Sequence, residues 1–440
     1  MFSVILLCTL MMLHYIQLST ASFLNGGSRK RSRRNSILSR IIKDCSIYDD
    51  DEIPGEKQRR NPKWHFKRID MNEHFEMCEH TNTFVRRYHM TRPSFDALVD
   101  ILDISIDATK SMNSTSGNAP ITSTMVVTVG LRYMGGEEPK SLADVFGMSI
   151  ESTNRVINLF LKAVDSSKHP HLSIDLLPET EIDIKLMAKE WQMRSRAYNI
   201  YYGMLGAIDG MLCTTERPSD VPHPSAYFSG HYQRYGINVQ AMCDANLRFT
   251  YLSIAGPGGK NDARVFRRLL RLRRWLSNLK AGYFIAGDNA YPLLNNLLIP
   301  FSGSNARIEK NDSYNFHLSQ LRIRIEMTFG RLTSKWRIFR KNLPDVNGSV
   351  KNARIIRVGA MLHNYVINAD QLNFLNVDDA DHLAIGIEPI LNGPDGNVGY
   401  LPIPPEEEEE VEFTRRDRIV EELYSREMFR PNYNKDRNNI

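Results

Sequence analysis

Between Tyr201 and Asn289 the chain strings together four apolar, β-prone runs, with one helical stretch between the third and the fourth. The runs are YYGMLGAID, YGINVQAMCD, RFTYLSIAG and GYFIAGDN, and the turn DANL joins the second to the third. The intervening NDARVFRRLLRLRRWLSNLK reads as one helix, with Asn261 or Asp262 at its cap. Strand, strand, strand, helix, strand is a narrow specification. It predicts an α/β fold with a mixed sheet, in which the first strand and the strand after the helix are neighbours. Downstream, Leu318, Leu321, Ile325, Phe329, Leu332, Trp336 and Phe339 recur at three- and four-residue steps and predict a long helix. A last apolar helix, ARIIRVGAMLHNYVIN, follows, and no repeat or Gly/Ser linker divides residues 201–369, which read as one domain.

That order also limits where acidic side chains can meet. Asp209 ends the first strand, and Asp288 ends the strand after the helix. Glu326 lies beside the apolar stripe of the long helix, so a helix packed by Ile325 and Phe329 aims it along the sheet edge. Three convergent carboxylates make an oxygen-rich site suited to Mg²⁺ or Mn²⁺. Two such ions about 3.5–4 Å apart can activate a water and stabilise the leaving oxygen in phosphodiester cleavage. Each acid also has a plainer reading. Asp209-Gly210 suits a tight turn, Asp262 a helix cap, and Asp288-Asn289 the turn before Tyr291-Pro292. Glu326 could pair with Arg322, four residues earlier.

Other motifs fail. AGPGGKND lacks the first glycine and the final Ser/Thr of a phosphate-binding loop, and neither G-x-S-x-G nor H-E-x-x-H occurs. His74, Cys78 and His80 form a trio that could hold a metal, or is incidental surface.

Residues 84–200 read as helical. In SFDALVDILDIS, Phe95, Leu98, Val99 and Leu102 share a face, with Ser94 as a cap and Pro93 before it. PKSLADVFGMSIESTNRVINLFLKAV gives a short helix, a break at Gly147 and a longer helix opened by Ser149. That pairing is helix-turn-helix-like, and its second helix offers Asn154 and Arg155 as base readers, although a plain helical hairpin has the same pattern.

Charge is unevenly placed. The net charge is only +5, but Arg-Lys-Arg-Ser-Arg-Arg occupies 29–34, and basic runs span Arg264 to Lys280 and Arg322 to Lys341. No Lys or Arg occurs from Gln371 to Glu412, and Glu406 to Glu410 is an acidic run. This divides the chain into a charged leader and linker (1–60), a nucleic-acid-facing body, and an acidic tail with a terminal helix (370–440). Within the body Arg267, Arg271, Arg274, Lys335 and Arg337 are candidates for contacts to DNA phosphates. The five cysteines are scattered and include no C-x-x-C, so neither a disulfide framework nor a zinc finger is expected and a reducing compartment fits. The basic cluster reads as a nuclear localisation signal. Phe2 to Leu18 resembles a signal peptide but lacks a preceding Lys or Arg, so a secreted globular protein is the alternative. Stable membrane association is not expected.

GAIDG, INVQAMCDANLRFTYLSIAGPGGKNDARVF, AGDNAYPL, RIRIEMTFGRLTSKWRIF and MLHNYVI resemble, in this order, the PIF/Harbinger transposase family and the Harbinger transposase-derived nucleases, over roughly Phe84 to Ala369. The resemblance implies a ribonuclease H-like DDE nuclease domain, a mixed sheet flanked by helices, after a helical, helix-turn-helix-like region. It implies metal binding by Asp209, Asp262, Asp288 and Glu326, and DNA-end recognition shared with a Myb-like accessory protein. Met211-Leu212 replaces the usual Thr-His after the first Asp-Gly, and Lys260-Asn261 replaces the family's pair before the second acid. The expected activity is divalent-metal-dependent DNA cleavage with Asp209, Asp288 and Glu326 as catalytic acids, with strand transfer and homo-oligomerisation as further expectations. The alternative is a domesticated DNA-binding protein without turnover.

Overall fold

A computed structural model describes residues 67–107, 121–197, 199–219, 221, 223–344, 349–375 and 414–431. The leader, the basic cluster at 29–34 and the acidic run at 406–410 lie outside the described residues. The elements in chain order are α1 (Met71–His80), α2 (Phe84–Tyr88), α3 (Arg92–Asp107), α4 (Ser123–Met134), α5 (Pro139–Phe146), α6 (Ile150–Ser166) and α7 (Glu181–Arg194). Then come β1 (Met204–Thr214), β2 (Phe228–Ser229), β3 (Arg234–Cys243), β4 (Phe249–Pro257), α8 (Asp262–Phe266), α9 (Leu270–Ser277), β5 (Phe284–Ala286) and β6 (Leu297–Leu298). The long helices α10 (Glu309–Lys335) and α11 (Ser349–Leu375) and the short α12 (Arg415–Ser425) close the described chain.

The sheet is mixed. β3 runs antiparallel between β1 and β4, with the short β2 against its first residues. On its other edge β1 pairs in parallel with β5, and β5 with β6. The first strand and the strand after the helical stretch are therefore neighbours, as their order predicts, in a ribonuclease H-like arrangement.

Helices cover both faces. Side chains alternate along a strand, so each strand feeds two cores. Ile208, Met242 and Ile285 pack with Val265, Phe266, Leu272 and Leu276 of α8 and α9. Ala207, Ala241 and Cys243 pack on the opposite side with Leu321 and Ile325 of α10 and Ile356 and Leu362 of α11. That second core continues without interruption into the N-terminal helices through Phe95, Phe146 and Phe160. Two polar clamps fix α11 in place. Asn364 donates to the Phe249 and Ser173 carbonyls and accepts from Phe249 N. Arg357 grips Asp165 of α6 with two nitrogens, each at 2.7 Å.

Helix ends follow their capping residues, with corrections to the sequence-based expectations. The α5–α6 break falls at Gly147 (φ 63°), and Ser149 caps α6 by accepting from Ser152 N. α3 begins at Arg92, and Ser94 N donates to Thr91 Oγ1, so Thr91 rather than Ser94 is the capping residue. The stretch 261–280 is two helices rather than one. The chain bends between Phe266 and Leu270, and both pieces keep their apolar residues on the sheet. β1 begins at Met204 and runs on past Asp209 to Thr214, so Asp209 lies within the strand and does not end it. α10 stops at Lys335, where a single 3₁₀ turn (Arg337–Arg340) takes over. Among the described residues no helix is long and apolar enough to cross a membrane. Cys78, Cys213 and Cys243 are free and buried.

Candidate active site

Asp209 stands where β1 loses one partner. The β1–β5 pairing reaches only Ala207 and Ala286, whereas the β1–β3 pairing continues to Thr214. β1 is thus an open edge on the β5 side from Ile208 until Leu343 N bonds the Thr214 carbonyl at 2.8 Å. β5 gives out at the same level. Gly287 N still bonds the Leu298 carbonyl, and the chain then turns at Asp288, whose Oδ1 accepts from Ala290 N at 2.9 Å. Asp288 is therefore both the turn residue of the plainer reading and an acid brought beside Asp209.

The two faces of β1 supply the other acids. Asp209 faces the α10 side, where Arg322 Nη1 lies 4.0 Å from Oδ2 and 2.8 Å from Glu326 Oε1. Gly210 faces the opposite side, and Asp262 presses against it. A Cβ on Gly210 would stand 2.6 Å from both Asp262 Oδ1 and Gln240 Nε2. Asp209-Gly210 is therefore not a tight turn. The glycine is a gap in the strand that admits Asp262.

Asp262 does not cap its helix. Asn261 does so, accepting from Arg264 N at 3.1 Å. This leaves the Asp262 carboxylate to accept from Gln240 Nε2 at 2.6 Å and Asn238 Nδ2 at 3.3 Å. Gln240 is itself held through its Oε1 by the Tyr291 hydroxyl. Sequence reading missed Asn238, Gln240 and Tyr291 as supports. The available signal was two amides at alternate positions in an otherwise apolar strand, INVQAMC, where a buried polar side chain needs a partner.

The acids also act on one another's titration. Burial raises the Asp209 carboxyl to about 6, and the charges of Asp288 and Asp262 push the same way while Arg322 and the Gly210 N–H oppose them. Asp288 is also raised, first by burial and then by Asp262 and Glu326. Burial first, then Asp262, Asp209 and Asp288, drives the Tyr291 hydroxyl upward as well. Four carboxylates with one guanidinium among them are short of positive charge.

That shortage decides the fit to a cation. Among the described residues no three His, Cys, Asp or Glu side chains already close into a cage. Glu326 is turned to Arg322 and its side chain is 48% exposed. The donor chemistry nevertheless fits a hard divalent ion, because all donors are oxygen and bringing them together raises the free energy unless positive charge is added. His74, Cys78 and His80 do not make a second centre. His74 bonds the Tyr88 hydroxyl at 2.6 Å inside the helical core, and His80 is exposed.

The candidate DNA contacts do not form one strip. Asn154 and Arg155 are exposed on the first turns of α6. Arg267 and Arg274 are exposed in the α8–α9 layer, and Arg271 there is ion-paired with Asp175. Lys335 and Arg337 lie at the end of α10, across the sheet from that layer.

Residues 208–364 match the family described as DDE superfamily endonuclease. The chain is 25% identical over 304 residues to Protein ALP1-like of Arabidopsis thaliana, covering 66% of this chain and 71% of that one. No solved structure gives a significant match. The family match opens at Ile208, one residue ahead of the first acid, and closes at Asn364, the residue that clamps β4 to α11. Over residues 208–364 the chain is thus similar to the DDE superfamily endonucleases, and over 304 residues to Protein ALP1-like.

Proposed function

We propose that this chain is a divalent-metal-dependent DNA endonuclease whose site is Asp209, Asp262, Asp288 and Glu326. One observation carries the reading: four carboxylates from β1, α8, the β5 turn and α10 crowd around the open edge of β1, with Arg322 as the nearby cation. A carboxyl raised by burial beside other acids is characteristic of functional sites.

The side chains have separable roles. Asp209 and Asp288, on the rigid sheet, are the fixed donors. Gln240 and Asn238 hold Asp262 by Oδ1, so Oδ2 is its proposed donor to the cation. Glu326 is the movable donor and must leave Arg322 to join the others. Mg²⁺ or Mn²⁺ held there would supply Lewis-acid stabilisation of the phosphate and lower the pKa of the attacking water. Released from Glu326, Arg322 is free to neutralise a phosphate oxygen, a task for which a guanidinium is well shaped. Arg267, Arg274, Lys335, Arg337, Asn154 and Arg155 are proposed as DNA contacts outside the acids, and Arg271 joins them only by leaving Asp175. Nuclear residence, shared end recognition with a Myb-like protein, and self-association belong to the same reading.

The test is nicking of a labelled duplex in Mg²⁺ or Mn²⁺ by wild type and by Asp288→Ala. The expected loss is about 100-fold or more, the scale of removing one element of transition-state charge stabilisation. Equal nicking by both would reject the site.

A further inference from the structure

A second charged feature lies on the same helix as Glu326. Thr83, Arg86, Arg87 and His89 from α2 and its flanks face Ser334 and Arg337 from the end of α10 across a cleft of about 470 Å³. Arg86 and Arg337 are exposed, and no carboxylate pairs with Arg86, Arg87 or Arg337 among the described residues. Several other arginines are paired: Arg92 with Glu79 and Asp96, Arg132 with Glu137, Arg357 with Asp165. Three guanidiniums around one cleft without a counter-charge are a site for an anion.

The cleft is built rather than incidental. His89 has left-handed backbone (φ 61°), which ends α2 and turns its imidazole towards α10, edge-on to the buried Trp336 ring at 5.5 Å. Arg87 Nε is steadied by Thr83 Oγ1 at 3.3 Å. Burial, then Lys335 and Arg337, lowers His89 to about 4, so at neutral pH the ring is an uncharged hydrogen-bonding group among cations.

Its position relative to the acids gives it meaning. Glu326, Gly330 and Ser334 are exposed at successive four-residue steps, so one open stripe of α10 leads from the acid to the cleft. Among the described residues nothing lies within 4 Å of where a Gly330 Cβ would be, so they leave the stripe unobstructed midway. Ser334 is about 12 Å along the helix axis from Glu326. At about 3.4 Å per nucleotide along a duplex strand, that is roughly three to four nucleotides.

We propose that this arginine-walled cleft holds the backbone of the DNA duplex about three to four nucleotides from the phosphodiester at the acids. The inference rests on the nuclease reading and adds to it the track that the duplex follows. Arg86, Arg87 and Arg337 contact phosphate oxygens, with Thr83, His89 and Ser334 as neutral hydrogen-bonding groups between them. Such contacts set register and affinity and carry no sequence preference.

The experiment measures binding of a fluorescent duplex to the full chain in Ca²⁺ over a range of KCl, beside nicking in Mn²⁺. Variants are Arg86→Ala/Arg87→Ala, the charge-keeping Arg86→Lys/Arg87→Lys, and the single exposed Arg86→Glu, each checked by thermal melting. The double alanine variant should bind about 10-fold or more weakly at 0.1 M salt, with the slope of log affinity against log salt reduced by about 2. The lysine variant should recover most of the slope, and Arg86→Glu should weaken binding without lowering the melting temperature. Wild-type binding and nicking with an alanine variant of unchanged affinity and slope would overturn the cleft alone. A wild type that neither binds nor nicks would overturn the nuclease reading and the cleft together.

Discussion

Asp209 is the residue where function and stability pull apart. Its folded pKa of about 6 lies above the ordinary carboxylate value, so the folded chain binds the proton more tightly than the unfolded chain does. Stability from this group is therefore greatest below the ordinary pKa, falls as pH rises towards 6, and stays reduced above it. Asp209→Asn is expected to abolish nicking yet raise stability in EDTA at pH 7 by about 1–2 kcal/mol, read by chemical denaturation. A less stable variant would mean that the carboxylate is satisfied in a way the geometry does not show. Gly210→Ala tests the neighbouring gap. The atoms in the way are side-chain ends rather than backbone, but Asp262 and the buried Gln240 are bonded to each other, so melting should fall by several degrees. Nicking should also fall about 100-fold, the usual cost of displacing a catalytic group by an ångström.

At the scale of elements, the order of strands was legible and the exact ends were not. Buried strands appear as continuous apolar runs, so GYFIAGDN and YYGMLGAID announced themselves, and so did their adjacency. The position of Asp209 within β1 was not visible. The strand outlives its pairing with β5 because β3 continues alongside it, a fact about a partner some thirty residues away. The bend between α8 and α9 was hidden for a different reason: both pieces keep the three- and four-residue spacing, and periodicity cannot register a bend that preserves it. Asp262 was ambiguous from sequence because Asn261 and Asp262 are both good caps, and its true partners, Asn238 and Gln240, stand on another strand. The α11 clamp was likewise invisible. Asn364→Ala leaves the Phe249 backbone N–H, buried with its residue, without its acceptor and two carbonyls without their donor. The expected cost is about 2–4 kcal/mol, measured as a shift in the denaturation midpoint with unchanged slope.

Across the whole molecule the N-terminal helices, the sheet and α11 share a core, so groups far from the acids report on the same folding equilibrium. His74, His89 and His363 are each lowered to about 4, by burial first in every case. Each takes up a proton on unfolding between about pH 6.5 and 4, so stability is full above that window and lost as pH falls through it. The predicted loss is about 1.4 kcal/mol per pH unit for each histidine, countered in part by Asp209, and visible as a falling melting temperature below pH 6.5. The central claim, however, is local: four carboxylates gather on one divalent cation once Glu326 leaves Arg322. Anomalous diffraction from crystals of the full chain equilibrated with Mn²⁺ tests it most directly. The account predicts an Mn²⁺ peak among Asp209, Asp262, Asp288 and Glu326, with the Glu326–Arg322 pair opened. A saturated crystal with no peak there, or with Mn²⁺ bound only at other carboxylates, would contradict it.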